Sequence, residues 1–372
     1  MKKDWKVLNG NNIDILKTYE DNTFDSIVTD PPYGIEFLGK DWDKDTGAME
    51  TWQECLRVLK PGGYILAFSA ARTYHNLATN IESAGFEIRD QIMWLYGSGF
   101  PKAQDMGKTI DKRAGKKDPN YGSNKHSGMV TEGQGRKDYR CLVCNKTLGS
   151  WIKDCKEEDC GQRYNYQTEE AQQWAGWKTA LKPAHEPIVM ARKPFKGSCI
   201  DNVLKHGVGA LNIDGSRVGM MTEEEVKRSG KSTNGIFMKG GVDWSEGKEP
   251  EGRYPSNVIG EVTDYQKYFY CPKVGRAERN TNGAAENNHP TVKPVELMKY
   301  LVKLVTPEGG IVLDPFNGSG STGMACVELG YEYVGCELDP NYVEIATNRI
   351  AAWEAKFNDD HFDSLFDKEE TQ

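Results

Sequence analysis

Ile311-Val-Leu-Asp314-Pro-Phe-Asn317-Gly318-Ser-Gly320-Ser-Thr-Gly323 sets a short apolar run against a glycine-rich turn. The run, Ile311–Leu313, reads as a buried strand, and Ser321–Leu329 reads as a helix closed by Gly330. Gly318, Gly320 and Gly323 have the GxGxxG spacing. That spacing is weak by itself, but between a strand and a helix it lets backbone approach a ligand closely. Tyr333–Glu337 reads as the next strand, and Glu337 at its tip can accept hydrogen bonds from both hydroxyls of a ribose. A dinucleotide site and a glycine turn without a ligand satisfy the same spacing, so other residues must decide.

Outward from this stretch, Val295–Val305 has apolar residues at helical spacing and Asn341–Phe357 reads as a further helix. The other end of the chain repeats the grammar. Trp5–Leu8, Ser26–Thr29, Tyr64–Ser69 and Glu87–Tyr96 read as strands, Met49–Leu59 and Thr73–Ala84 as helices. Strands alternating with helices imply a mostly parallel sheet with both faces covered. Between these ends the composition shifts to Gly, Lys, Ser, Asn and Asp with broken periodicity, apart from apolar islands such as Ile188–Ala191. The expected organisation is one sheet built from both ends (1–101 and 289–357), an inserted irregular region (102–288) and an acidic tail (358–372).

Ser26-Ile-Val-Thr-Asp30-Pro-Pro-Tyr33-Gly34 places a carboxylate at a strand end, followed by two prolines and an aromatic ring. Proline cannot donate to a sheet ladder and fixes φ, so Pro31 and Pro32 carry a rigid chain out of the sheet. This suits work on the exocyclic amino group of a nucleic-acid base, whose lone pair is delocalised into the ring. Two acceptors, the Asp30 carboxylate and the Pro31 carbonyl, would draw the nitrogen toward tetrahedral geometry, and the carboxylate would stabilise the developing positive charge. Tyr33 offers a face on which an extruded base can stack. The plainer alternative is a Pro-Pro turn with Tyr33 as surface packing. A nicotinamide enzyme leaves this segment unexplained.

Together, Asp30-Pro-Pro-Tyr33 and Asp314-Pro-Phe-Asn-Gly-Ser-Gly320 resemble the catalytic motif and the cofactor loop of the DNA amino methyltransferases, adenine-N6 and cytosine-N4. Their order matches the permuted beta group. Leu59-Lys-Pro-Gly-Gly63 and His289-Pro-Thr-Val-Lys-Pro294 are similar to further landmarks. The resemblance covers roughly residues 5–100 and 180–355. It implies a circularly permuted, Rossmann-like α/β fold of the S-adenosylmethionine methyltransferase type, with S-adenosylmethionine as cofactor and double-stranded DNA as substrate. On this basis the loop from Asp314 through Ser319 holds the cofactor, with Phe316, Asn317, Gly318 and Gly320 at its methionine part. Glu337 holds the ribose, and Thr291 and Lys293 line the same pocket. Asp30 and Pro31 grip the amino group, and Tyr33 stacks. Where the family often has Gly-Asp after its first strand, this chain reads Gly10-Asn11, so Asn11 would replace an acid near the cofactor's adenine. The cytosine enzymes usually begin the catalytic motif with Ser, so Asp30 points to adenine N6. Cytosine-N4 transfer, RNA as substrate, and a non-catalytic DNA-binding regulator are the alternatives. The resembling group often forms homodimers, and the sequence leaves a partner restriction enzyme open.

Nine cysteines include four in a cluster, Cys141-Leu-Val-Cys144 and Cys155-Lys-Glu-Glu-Asp-Cys160. Four thiolates at such spacing can close a tetrahedral structural zinc site, a knuckle over about 141–160 within the expected target-recognition region. The wider second pair leaves surface thiols as the alternative. Trp174 and Trp177, at helical spacing, are expected in a core, and His289 is expected to be structural. The net charge of −8 does not favour a nucleic-acid partner, but Lys112, Arg113, Lys116 and Lys117 form a basic stretch while acids crowd the tail. With no signal-peptide core in Met1-Lys-Lys-Asp-Trp-Lys6 and no long apolar run, a cytoplasmic protein without a membrane partner is expected.

Overall fold

The computed structural model describes residues 4–366, except 36–42, 97–102, 117–126, 131–137, 142–146, 149–165, 182, 219–253, 264–265, 268–273, 275, 282–285 and 290. In chain order the strands are β1 (Trp5–Asn9), β2 (Phe24–Thr29), β3 (Leu59–Phe68), β4 (Glu87–Leu95), β5 (Ser127–Val130), β6 (Asp138–Cys141) and β7 (Thr147–Leu148). They continue with β8 (His185–Arg192), β9 (Val258–Ile259), β10 (Glu261–Thr263), β11 (Gln266–Lys267), β12 (Ile311–Asp314) and β13 (Glu332–Glu337). The helices are α1 (Asn12–Leu16), α2 (Met49–Val58), α3 (Tyr74–Ser83), α4 (Met106–Arg113), α5 (Glu169–Gln173) and α6 (Cys199–His206). After them come α7 (Arg276–Arg279), α8 (Val295–Val305), α9 (Ser321–Leu329) and α10 (Pro340–Phe366).

Eight strands form the main sheet in the order β1-β13-β12-β2-β3-β8-β4-β9. The first five are mutually parallel, with Val312 opposite Ser26 and Leu313 opposite Ile27. β8 runs antiparallel to both β3 and β4. β2 is buried along its whole length, as a strand covered on both faces must be. Alternate residues take opposite faces: Val28 and Leu66 join the core under α8 and α9, whereas Ile27 and Ile65 join the core under α2 and α3. Helix α8 turns Leu297, Met298, Leu301, Val302 and Val305 inward, a stripe at helical spacing. Buried Asp25 ties two strands together, accepting from Lys60 at 2.6 Å and from the Ile311 N–H at 2.8 Å.

The chain divides into two compact units, residues 1–98 with 184–372, and residues 99–183. β8 therefore belongs to the main sheet, although it lies inside the region expected from composition to be inserted. In the smaller unit, the fully buried Asp111 on α4 accepts from the backbone N–H groups of Gln167 and Thr168 and from the Thr168 hydroxyl. Trp174 and Trp177 are 40% and 61% exposed, stacked edge-to-face on each other with ring centroids 5.2 Å apart. This corrects the expectation that they lie in a core. Their helix ends at Gln173, so helical spacing does not extend to them. Cys141 closes β6. Its side chain, and Cys144, Cys155 and Cys160, lie outside the described residues, as does Lys117. Among the described residues no group of His, Cys, Asp or Glu could hold a metal ion, and no helix is long and apolar enough to cross a membrane.

Candidate active site

The two Asp-Pro segments leave the sheet side by side. β2 and β12 are parallel neighbours, so Asp30 and Asp314 end adjacent strands at the same edge. The Thr29 hydroxyl donates to Asp314 Oδ1 at 2.7 Å and joins the two segments directly.

In the glycine loop the polar side chains are engaged by the loop and by the elements around it. Asp314 is buried; its Oδ1 also accepts the Phe316 N–H at 3.1 Å, and its Oδ2 accepts the Thr322 hydroxyl at 2.7 Å. Burial raises its pKa to about 6 against the pull of these hydrogen bonds. Asn317 is also buried, accepting from the Tyr333 hydroxyl at 2.7 Å and donating to the Gly318 carbonyl. The Ser319 carbonyl and hydroxyl both accept from buried Arg349 on α10, whose pKa burial lowers to about 10. Gly320 (φ +82°) turns the chain into α9 in the left-handed region that favours glycine. Gly335 has a steric reason as well: a Cβ there would lie 2.4 Å from Asn317 Oδ1.

Glu337 ends β13 beside the loop. One of its oxygens accepts the Gly318 N–H at 2.8 Å and the other the Asp339 N–H at 2.9 Å, which leaves each with a lone pair for a ligand. Burial raises its pKa. Phe316 packs against Trp52, ring centroids 5.7 Å apart. Asn11 caps α1, accepting from the Ile13 N–H at 2.9 Å, and its neighbour Asn12 donates to the Pro315 carbonyl. His289 places Nδ1 2.6 Å from the Thr291 carbonyl and packs on Tyr342, and burial lowers its pKa. Thr291 is therefore tied to His289 through its backbone.

The Asp30 side chain has different partners. Its Oδ1 accepts the Tyr33 hydroxyl at 2.8 Å and its Oδ2 accepts Lys293. Lys293 Nζ also donates to the Tyr33 oxygen at 3.0 Å and lies over the Phe68 ring. Lys293, expected along the cofactor pocket, thus reaches Asp30. Its side chain is 7% exposed. Burial pulls its pKa down, but the Asp30 and Glu186 carboxylates more than offset this and hold the ammonium charged. Tyr33 is pushed well above the usual phenol range, first by burial and then by the same carboxylates, so it keeps its proton.

Two residues of this site carried no signal in the sequence. Glu186, at the start of β8, lies 3.3 Å from the Tyr33 hydroxyl and 3.5 Å from Lys293 Nζ. Asp43, buried, gathers the loop after the prolines, accepting the N–H groups of Tyr33 (2.6 Å), Gly34 (3.1 Å) and Ile35 (3.3 Å). Each is a lone acid, and lone acids are most often solvated.

Residues 24–348 match the family model N6_N4_Mtase, described as DNA methylase. The Type II methyltransferase M.HindIII of Haemophilus influenzae is 24% identical over 92% of this chain and 94% of its own length. The Type II methyltransferase M.HpaI of Haemophilus parainfluenzae is 23% identical over 97% of this chain and 77% of its own. Among solved structures, the M1.HpyAVI–SAM complex covers 92% of the chain at 16% identity, with a TM-score of 0.43. The family match runs from β2, which delivers Asp30, through β12 and β13, which deliver the glycine loop and Glu337, and on this ground the chain belongs to the N6/N4 DNA methylase family.

Proposed function

We propose that this DNA methyltransferase moves a methyl group from S-adenosylmethionine to N6 of adenine in double-stranded DNA. The supporting observation is the meeting of Asp30-Pro-Pro-Tyr33 with the glycine loop at one sheet edge, joined by the Thr29–Asp314 hydrogen bond. The strand-end residues fit the cofactor. Glu337 presents lone pairs suited to ribose hydroxyls, Gly318 and Gly320 present bare backbone, and Phe316, backed by the buried Trp52, offers an apolar face. When bound, the cofactor supplies an electrophilic methyl group on a sulfonium. Asp30 and the Pro31 carbonyl accept the two amino hydrogens of an extruded base and localise the nitrogen lone pair. Asp30 then stabilises the positive charge on that nitrogen and accepts the proton it releases. The Tyr33 ring supports the base. Asp at the head of the motif favours adenine over cytosine.

Incubation of the protein with DNA and the cofactor, followed by mass spectrometry of the nucleosides, is expected to give N6-methyladenine. N4-methylcytosine alone would overturn the choice of base, and methylation of RNA but not of DNA would overturn the substrate. A structural zinc on Cys141, Cys144, Cys155 and Cys160 is proposed from their spacing; purified protein without zinc would remove it. A homodimer and a companion restriction enzyme follow from the family resemblance alone. Sedimentation tests the first, and cleavage of unmethylated DNA by extracts tests the second.

A further inference from the structure

Each oxygen of the Asp30 carboxylate already accepts one donor, Tyr33 or Lys293, and keeps one lone pair, so a base amino group meets an acceptor whose charge is partly spent on an internal ammonium. A buried ammonium released from its partner would be left at high cost. Glu186 stands beside the same two donors. Its Oε2 is 3.3 Å from the Tyr33 hydroxyl and 3.5 Å from Lys293 Nζ, just longer than good hydrogen bonds. The carboxylate also accepts a hydrogen bond from the Tyr96 hydroxyl. It sits between His185 and Pro187 at the head of β8, with its side chain 13% exposed.

Resting on the methyltransferase reading, we propose that Glu186 is a positioning residue that takes over Lys293 and the Tyr33 hydroxyl when a target base reaches Asp30. The exchange needs only a small shift of two donors and leaves neither unpaired. It turns Asp30 from an acceptor shared with two internal donors into one whose full charge faces the amino hydrogens. It also sets the charge of the site. Asp30 and Glu186 against Lys293 leave one net negative charge, suited to a nitrogen that becomes cationic as it is methylated. Without the Glu186 charge, Lys293 would pair with Asp30 alone and the site would be neutral.

The test uses the full-length protein and a duplex carrying its methylated sequence, identified by mapping methylated bases in exposed DNA. A second duplex is abasic at the target position. E186Q, nearly isosteric, is expected to bind S-adenosylmethionine and the abasic duplex as the wild type does. It should lose roughly tenfold in binding the normal duplex and in single-turnover methyl transfer, as for one charge-assisted hydrogen bond. The double variant E186Q/K293Q, which restores the net negative charge and frees Asp30 from the ammonium, should recover most of that loss. Equal weakening on both duplexes, no weakening on either, or a double variant poorer than E186Q would each overturn the proposal. If the wild-type protein methylates no nucleic acid, the functional reading itself fails, and that result is distinct from any of these.

Discussion

Two neighbouring strands each end in Asp-Pro, yet the two aspartates live differently. Asp314 is closed in, its oxygens occupied by Thr29, Thr322 and the Phe316 N–H, all fixed parts of the fold. Asp30 is partly open, and its partners Tyr33 and Lys293 have a second acceptor within reach. The same dipeptide therefore serves once as a fastener and once as a group available to a substrate. What separates the two is whether the surrounding donors can go elsewhere.

The largest test of this contrast is D30A. It should cut methyl transfer by about 10²–10³-fold or more, as for loss of a preorganised charge-stabilising group, while cofactor affinity measured by calorimetry stays near the wild-type value. A matching fall in cofactor affinity would make Asp30 a fastener too. Asp314 should show itself in stability. In the unfolded chain it loses its proton near pH 4, whereas in the fold it holds it to about pH 6. The folded state thus binds the extra proton between these values, and this group's share of stability falls as pH rises through that window and then levels off. The full change is on the order of 3 kcal/mol. D314N should lack it, so urea unfolding of the two proteins from pH 4 to pH 7 should reveal the difference.

D43N keeps the shape of the acceptor but removes the charge that gathers three N–H groups behind Tyr33. It should reduce transfer by roughly tenfold, in the range of a charge-assisted hydrogen bond, with little change in cofactor affinity. The smallest expected effect is that of T29V, which removes the hydroxyl linking the two segments and should lower unfolding free energy by about 1 kcal/mol. An unchanged midpoint would mean that strand pairing alone sets their alignment.

Much of the parallel half of the sheet was legible because its strands alternate with amphipathic helices and end in turn residues. Val295–Val305 and Ser321–Leu329 agree with the structure residue for residue, and the Glu87–Tyr96 strand differs from β4 by one residue. The helix expected over Asn341–Phe357 runs Pro340–Phe366. The antiparallel half was harder. Ile188–Ala191 stood out as an apolar island, but a buried apolar run carries no information about its neighbours, and β8 finds its place between β3 and β4 through pairings distant in sequence. Asp30, Tyr33 and the glycine loop were recognisable because unusual residue types occur together. Glu186 and Asp43 were not, since what marks them is proximity in space. Lys293 was visible as part of a motif, yet its pairing with Asp30 and Glu186 joins residues distant in sequence.

The Thr29–Asp314 bond spans 285 residues of chain. During synthesis the strand carrying Asp30 therefore emerges long before its partner β12. Such long-range pairing slows folding, and here it also means that a truncated or unfinished chain has no assembled site with which to mark a genome.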